Sequence, residues 1–152
     1  SDLAQILEIL RKLSTEIDTS IMIITHDLGV IAETCNNLIV MYGGMIMEKG
    51  TVDEIFHSPQ HPYTLGLMNS VPKLHQKEKA RLIPIPGSPP DLMNPPTGCP
   101  FSPRCPYVMS ICRDEMAPTY RIGITHTSAC WMLHSDAPQA EGFKKGCEVD
   151  AG

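Results

Sequence analysis

Three cysteines fall within fourteen positions of the stretch TGCPFSPRCPYVMSIC, residues 97–112, and a fourth follows at position 130. Cys99, Cys105, Cys112 and Cys130 therefore form the pattern C-x5-C-x6-C-x17-C. Cysteines in such a group close disulfides, hold a metal, or pack as small apolar side chains. Structural zinc favours pairs two to four residues apart, and neither short gap has that spacing. An iron-sulfur cluster accepts four thiolates at looser spacing. Disulfides, zinc, a cluster and free thiols all stay open on spacing alone. Of the two remaining cysteines, Cys35 reads as a small buried apolar residue of a helix and Cys147 as a free thiol in the tail.

A second polar junction lies in IMIITHDLGVIAE, where His26 stands between an apolar run and a helical pattern. Ligands of open parallel sheets bind at the carboxyl ends of strands, so Thr25, His26 and Asp27 sit where chemistry would occur. The plainer reading is that His26 bonds to loop backbone while Asp27 caps the helix.

The elements that would position these residues differ between the two halves of the chain. Leu3, Ile6, Leu7, Leu10, Leu13 and Ile17 recur at three and four, the stripe of an amphipathic helix. Residues 20–25 form an apolar run too short for a helix and are read as a buried strand, and residues 38–42 as a second. The twelve residues between them come close to the shortest parallel crossover, which predicts a βαβ unit with a helix from Leu28 to about Cys35. Gly43 and Gly44 then predict a tight hairpin into MIMEKG. Helices are expected at 52–57 and 63–70. For the latter, Gln60 or His61 serves as cap, Pro62 lies in the first turn, and Tyr63, Leu67 and Met68 make packing contacts. No nucleophile or second ligand is arranged around His61, which argues against a catalytic role.

Beyond Val71 proline dominates, excluding a regular helix or central strand. That region is a turn-rich wrap, a linker or a cross-linked loop domain, and residues 135–152 read as a loose tail. The short sheet lacks covering elements, so the first half reads as the end of a larger α/β domain. An uncovered apolar edge or face predicts self-association.

Composition narrows the functional classes. A net charge of −5 without a long basic run argues against a nucleic-acid binder. The local basic stretch Lys73, His75, Lys77, Lys79 and Arg81 reads as a solvated linker. No apolar run approaches the roughly 20 residues of a membrane span, and the first residues lack a signal-peptide profile, so a soluble, unsecreted chain is expected.

SIMIITHDLGVIAETCNNLIVMYGGMIMEKGTVDEIF resembles the late part of an ABC-transporter nucleotide-binding domain. SPQHPYTLGLMNSVP and PIPGSPPDLMNPPTGCPFSPRCP are similar to the C-terminal region of the ATPase subunits of oligopeptide/dipeptide importers. The resemblance runs from about Ala4 to about Leu133. It implies an α/β fold: an incomplete P-loop NTPase core remnant of the ABC type over 1–58, a Pro/Cys-rich extension over 59–134, and the tail. His26 corresponds to the switch histidine, which contacts the γ-phosphate of ATP and helps place the attacking water.

The resemblance further implies ATP and magnesium as cofactors of a full-length ATPase. It implies as partners a second ATPase subunit, transmembrane permease subunits and a peptide-binding protein, with peripheral placement on the cytoplasmic side of the membrane. A cytosolic ATPase makes stable disulfides unfavourable. Some members of this family have the cysteine pattern of a 4Fe-4S site, and the prolines after Cys99 and Cys105 resemble those beside ferredoxin ligands. The 152 residues contain no G-x-x-x-x-G-K-[ST] loop, no strand ending in an Asp-Glu pair and no Ser-Gly-Gly signature, and Ser1-Asp2 does not reproduce the family's D-loop. They are therefore expected neither to bind nor to hydrolyse ATP by themselves. The alternative is a non-enzymatic module that binds an iron-sulfur cluster or zinc.

Overall fold

Gly43 and Gly44 adopt φ of 58° and 80°, the paired left-handed conformations of a type I′ turn. In the computed structural model, which describes residues 2–71 and 84–152, they fold β1 (Asn37–Tyr42) back onto β2 (Met45–Thr51). The basic stretch 73–81 lies outside the described residues. Two compact units are present, residues 1–36 and 37–152.

The first unit holds α1 (Asp2–Glu16) and α2 (Leu28–Thr34). Asp18, at φ 46°, turns the chain just past the end of α1. No residue of α1 is buried, and Leu3, Ile6, Ile9 and Ile17 of its neighbourhood are at least half exposed. The apolar stripe is thus present but stays largely exposed.

The expected strand at 20–25 does not form. Met22 is 86% exposed and Ile24 94%. A parallel strand acquires its ladder from neighbours, and none pairs with this run among the described residues. The predicted βαβ unit is therefore corrected to an irregular run followed by α2. The expectation of a parallel sheet goes with it.

The second unit is mixed α/β around one antiparallel sheet of order β1-β2-β4-β3-β5. It continues with α3 (Val52–His57), α4 (Pro62–Asn69) and a short α5 (Ser110–Asp114). The remaining strands are β3 (Tyr120–Arg121), β4 (Thr127–Ser128) and β5 (Glu148–Val149). Leu38, Val40 and Tyr42 alternate inward on β1. On β2 a register shift opposite Val40/Met41 leaves Met47 as an extra residue, so Met47 and Glu48 are both buried. A single bulge thereby places a carboxylate inside.

Glu48 Oε1 accepts from the Gln60 backbone N–H at 2.7 Å and lies 2.6 Å from His126 Nε2. Ser128 Oγ donates to Gln60 O, and the Gln60 side chain bonds Gly142 O and the Lys144 N–H. Residues 135–152, expected as a loose tail, are in part tied down by these bonds. Phe143 is buried, and β5 pairs with β3. The physical reason is backbone pairing through the Gln60 amide, which local composition does not reveal.

Two apolar clusters complete the unit. Tyr42, Met47 and Phe101 pack with Tyr63 and Ile85, and Cys130, Met132 and Phe143 pack with Leu65 and Tyr107. The proline-rich wrap is fastened by Arg104, which donates to Pro86 O, Ile85 O and Tyr42 Oη. Removing His126 should leave the buried Glu48 carboxylate short of a donor. His126→Ala is expected to destabilise this unit by about 3 kcal/mol or more, read as a lowered urea midpoint. A smaller loss, of about 1 kcal/mol, would mean that water enters and replaces the imidazole.

Candidate functional site

The polar residues singled out by sequence fall in two places, one in each unit. In the first, Thr25 Oγ1 accepts from the Asp27 N–H, and Asp27 Oδ1 accepts from the N–H groups of Gly29 and Val30. Asp27 is thus the N-cap of α2, as the sequence suggested. The turn leaves His26 exposed.

In the second unit a small cavity is lined by Cys99, Cys105, Cys112 and Cys130 together with His61 and Phe101. Short turns and backbone hydrogen bonds bring these cysteines to the cavity wall. Cys99 and Cys112 are clamped by a 2.8 Å bond from the Cys99 N–H to Cys112 O. Gly98 permits that approach, because a Cβ there would stand 2.3 Å from Cys112 O. Cys105 follows the 3-10 turn at Ser102–Arg104 and Cys130 precedes the one at Trp131–Leu133. Beside β4, the Ala129 N–H bonds Met47 O and carries Cys130 into place.

All six cysteines of the chain are free thiols. Burial pushes the Cys105 thiol up to about 11, and burial also raises Cys99 and Cys130. Opposing this, backbone N–H groups of Phe101 and Ser102 approach Cys99, that of Tyr107 approaches Cys105, and that of Met132 approaches Cys130. Cys130 also feels the charges that Cys105, Cys99 and Cys112 would carry, so the four share one electrostatic neighbourhood. Among the described residues, no three His, Cys, Asp or Glu side chains converge closely enough to hold one metal ion.

His61 is the N-cap of α4, with Pro62 in the first turn. Its Nδ1 accepts from the Tyr63 N–H at 3.1 Å, and burial lowers its pKa to about 3, so the ring is neutral. Sequence reasoning found this capping role but did not place His61 at the cysteines. The two sites are some forty residues apart in sequence, and no local signal joins them.

Residues 47–112 match the family model for the C-terminal region of oligopeptide/dipeptide transporters. Over those residues the chain is similar to that family region. It is 50% identical over 138 residues to the oligopeptide transport ATP-binding protein OppD of Bacillus subtilis, covering 91% of this chain and 38% of that protein. The dipeptide transport ATP-binding protein DppD of the same organism is 47% identical over 138 residues, 90% of this chain and 41% of the relative. OppD of Salmonella typhimurium is 50% identical over 111 residues, 73% of this chain and 33% of the relative. The chain thus spans about two fifths of the length of the first two relatives. Within the oligopeptide/dipeptide transporter region, the family match includes Cys99, Cys105 and Cys112 and stops before Cys130.

A side chain at position 98 should push the Cys99 and Cys112 segments apart. Gly98→Ala is expected to destabilise the unit by about 1–3 kcal/mol and to speed alkylation of Cys99 and Cys112 in the folded protein. Alkylation at the wild-type rate would mean that the clamp tolerates the methyl group.

Proposed function

We propose that the chain is the C-terminal part of the ATP-binding subunit of an ABC importer for oligopeptides or dipeptides. The observation carrying this reading is the similarity to such subunits over nine tenths of the chain. In the intact protein ATP and magnesium would be bound largely by segments outside these 152 residues. His26, exposed at its turn, is free to donate a hydrogen bond to a γ-phosphoryl oxygen and to hold the attacking water. The uncovered apolar residues of α1 suit contact with the rest of such a domain, and their exposure favours self-association of the chain in isolation.

No helix of the described residues is long and apolar enough to cross a membrane. Placement on the cytoplasmic face would therefore come through permease subunits, with a second ATPase subunit and a peptide-binding protein completing the importer. In the assembled transporter, His26→Ala is expected to reduce ATP turnover by about 10²-fold or more. Turnover at the wild-type rate would leave His26 as a loop residue only. The 152-residue chain itself should show no turnover.

A further role rests on the cysteine cavity. Cys99, Cys105, Cys112 and Cys130 are proposed to hold a 4Fe-4S cluster that staples the extension. Structural zinc favours cysteine pairs two to four residues apart, whereas a cluster accepts four thiolates at looser sequence spacing. Backbone N–H groups near three of the sulfurs suit thiolate ligands, and the bound iron would supply the positive charge that keeps buried thiols deprotonated. Anaerobically prepared protein should contain iron and acid-labile sulfide near four per chain, lost in Cys105→Ser. Metal-free, fully folded protein would refute the staple.

A further inference from the structure

Two of the four cysteines are joined through their own backbones. The Cys99 N–H donates to Cys112 O at 2.8 Å, Cys99 O accepts from the Ser102 N–H, and the Cys112 N–H donates to Met109 O. Each of the two residues thus has both its N–H and its C=O engaged, which fixes one backbone against the other. A direct bond of this kind sets the Cα atoms about 5–6 Å apart, inside the span of about 4.4–6.8 Å that a disulfide bridges. Both thiols are free and both line the same cavity. The charge that Cys112 would carry acts on Cys99. Among the described residues no three such side chains converge on one ion, but a disulfide needs only two. Cys112 is half-buried between the exposed Ile111 and Arg113, so a small oxidant can reach it from solvent.

We propose that Cys99 and Cys112 form a redox-active dithiol, closed to a reversible intramolecular bridge by a low-molecular-weight disulfide such as oxidised glutathione. This concerns the chain with no iron bound and does not depend on the cluster reading. The Cys112 thiol gives up its proton, and the thiolate attacks one sulfur of the oxidant and releases a first glutathione thiolate. The Cys99 thiolate then attacks the protein sulfur of the mixed disulfide and releases the second. Two protein thiols lose two electrons and two protons, and the oxidant leaves as two thiols. Burial raises the Cys99 thiol, so this second step quickens as the pH rises. Disulfides of reducing compartments are transient and sense redox state. This one would tie α5 to the turn at residues 97–99.

The test uses the whole chain, treated with a chelator and equilibrated in glutathione redox buffers. The bridge is quantified by alkylation and located by tandem mass spectrometry. Cys99–Cys112 is expected as the main product, with an effective concentration against glutathione at least about tenfold above that of the same chain in urea. Equal values with and without urea would overturn the proposal, because the fold would then contribute nothing to the pairing. A main product that joins any other pair would overturn it too. Cys105→Ser leaves the backbone clamp in place, and the folded variant should keep the wild-type value. Loss of the bridge in that variant would assign the chemistry to Cys105 and sink the Cys99–Cys112 pair.

Discussion

One buried carboxylate connects the parts of the second unit. Glu48 reaches the interior because β2 carries one residue too many, and its Oε1 then serves the Gln60 N–H and the His126 ring at once. Gln60 directly precedes the His61 cap, and His126 lies just before β4, whose end leads to Cys130. The position of both walls of the cysteine cavity therefore follows from this interaction. Its second oxygen, Oε2, is buried without a hydrogen-bond partner, so the arrangement carries a local penalty that the surrounding packing must offset.

Around that centre the fold is made of short elements that would not be stable separately. Strands β3, β4 and β5 have two residues each, and α5 has five. Helical and strand cooperativity is negligible at such lengths. Order comes from side chains that bond backbone: Arg104 to the proline-rich wrap, Gln60 to Gly142 and Lys144, and Trp131 Nε1 to Glu115 O.

The two units pose opposite physical problems. The first unit buries Ile31 but leaves Leu3, Ile6, Ile9, Ile17, Met22 and Ile24 exposed, whereas the described residues of 37–152 bury polar groups and satisfy nearly all of them internally. Chemistry at His26 would depend on groups that other segments bring. The cysteine site is assembled by this chain's own residues.

What the sequence by itself determined was local. The Gly43-Gly44 hairpin, the Asp27 cap, the Pro62 start of α4 and the family of the extension were all legible, because each is written in adjacent residues or in one contiguous motif. The strand at 20–25 was misread, since an apolar run specifies burial only when a neighbour exists to pair with it. The bulge at Met47 and the internal carboxylate beside it were invisible, because the pattern gives periodicity but not register. The meeting of His61 with Cys99, Cys105, Cys112 and Cys130 was decided only by tertiary structure. It requires β4 to pair with β2, a contact between residues some eighty positions apart that no local propensity encodes.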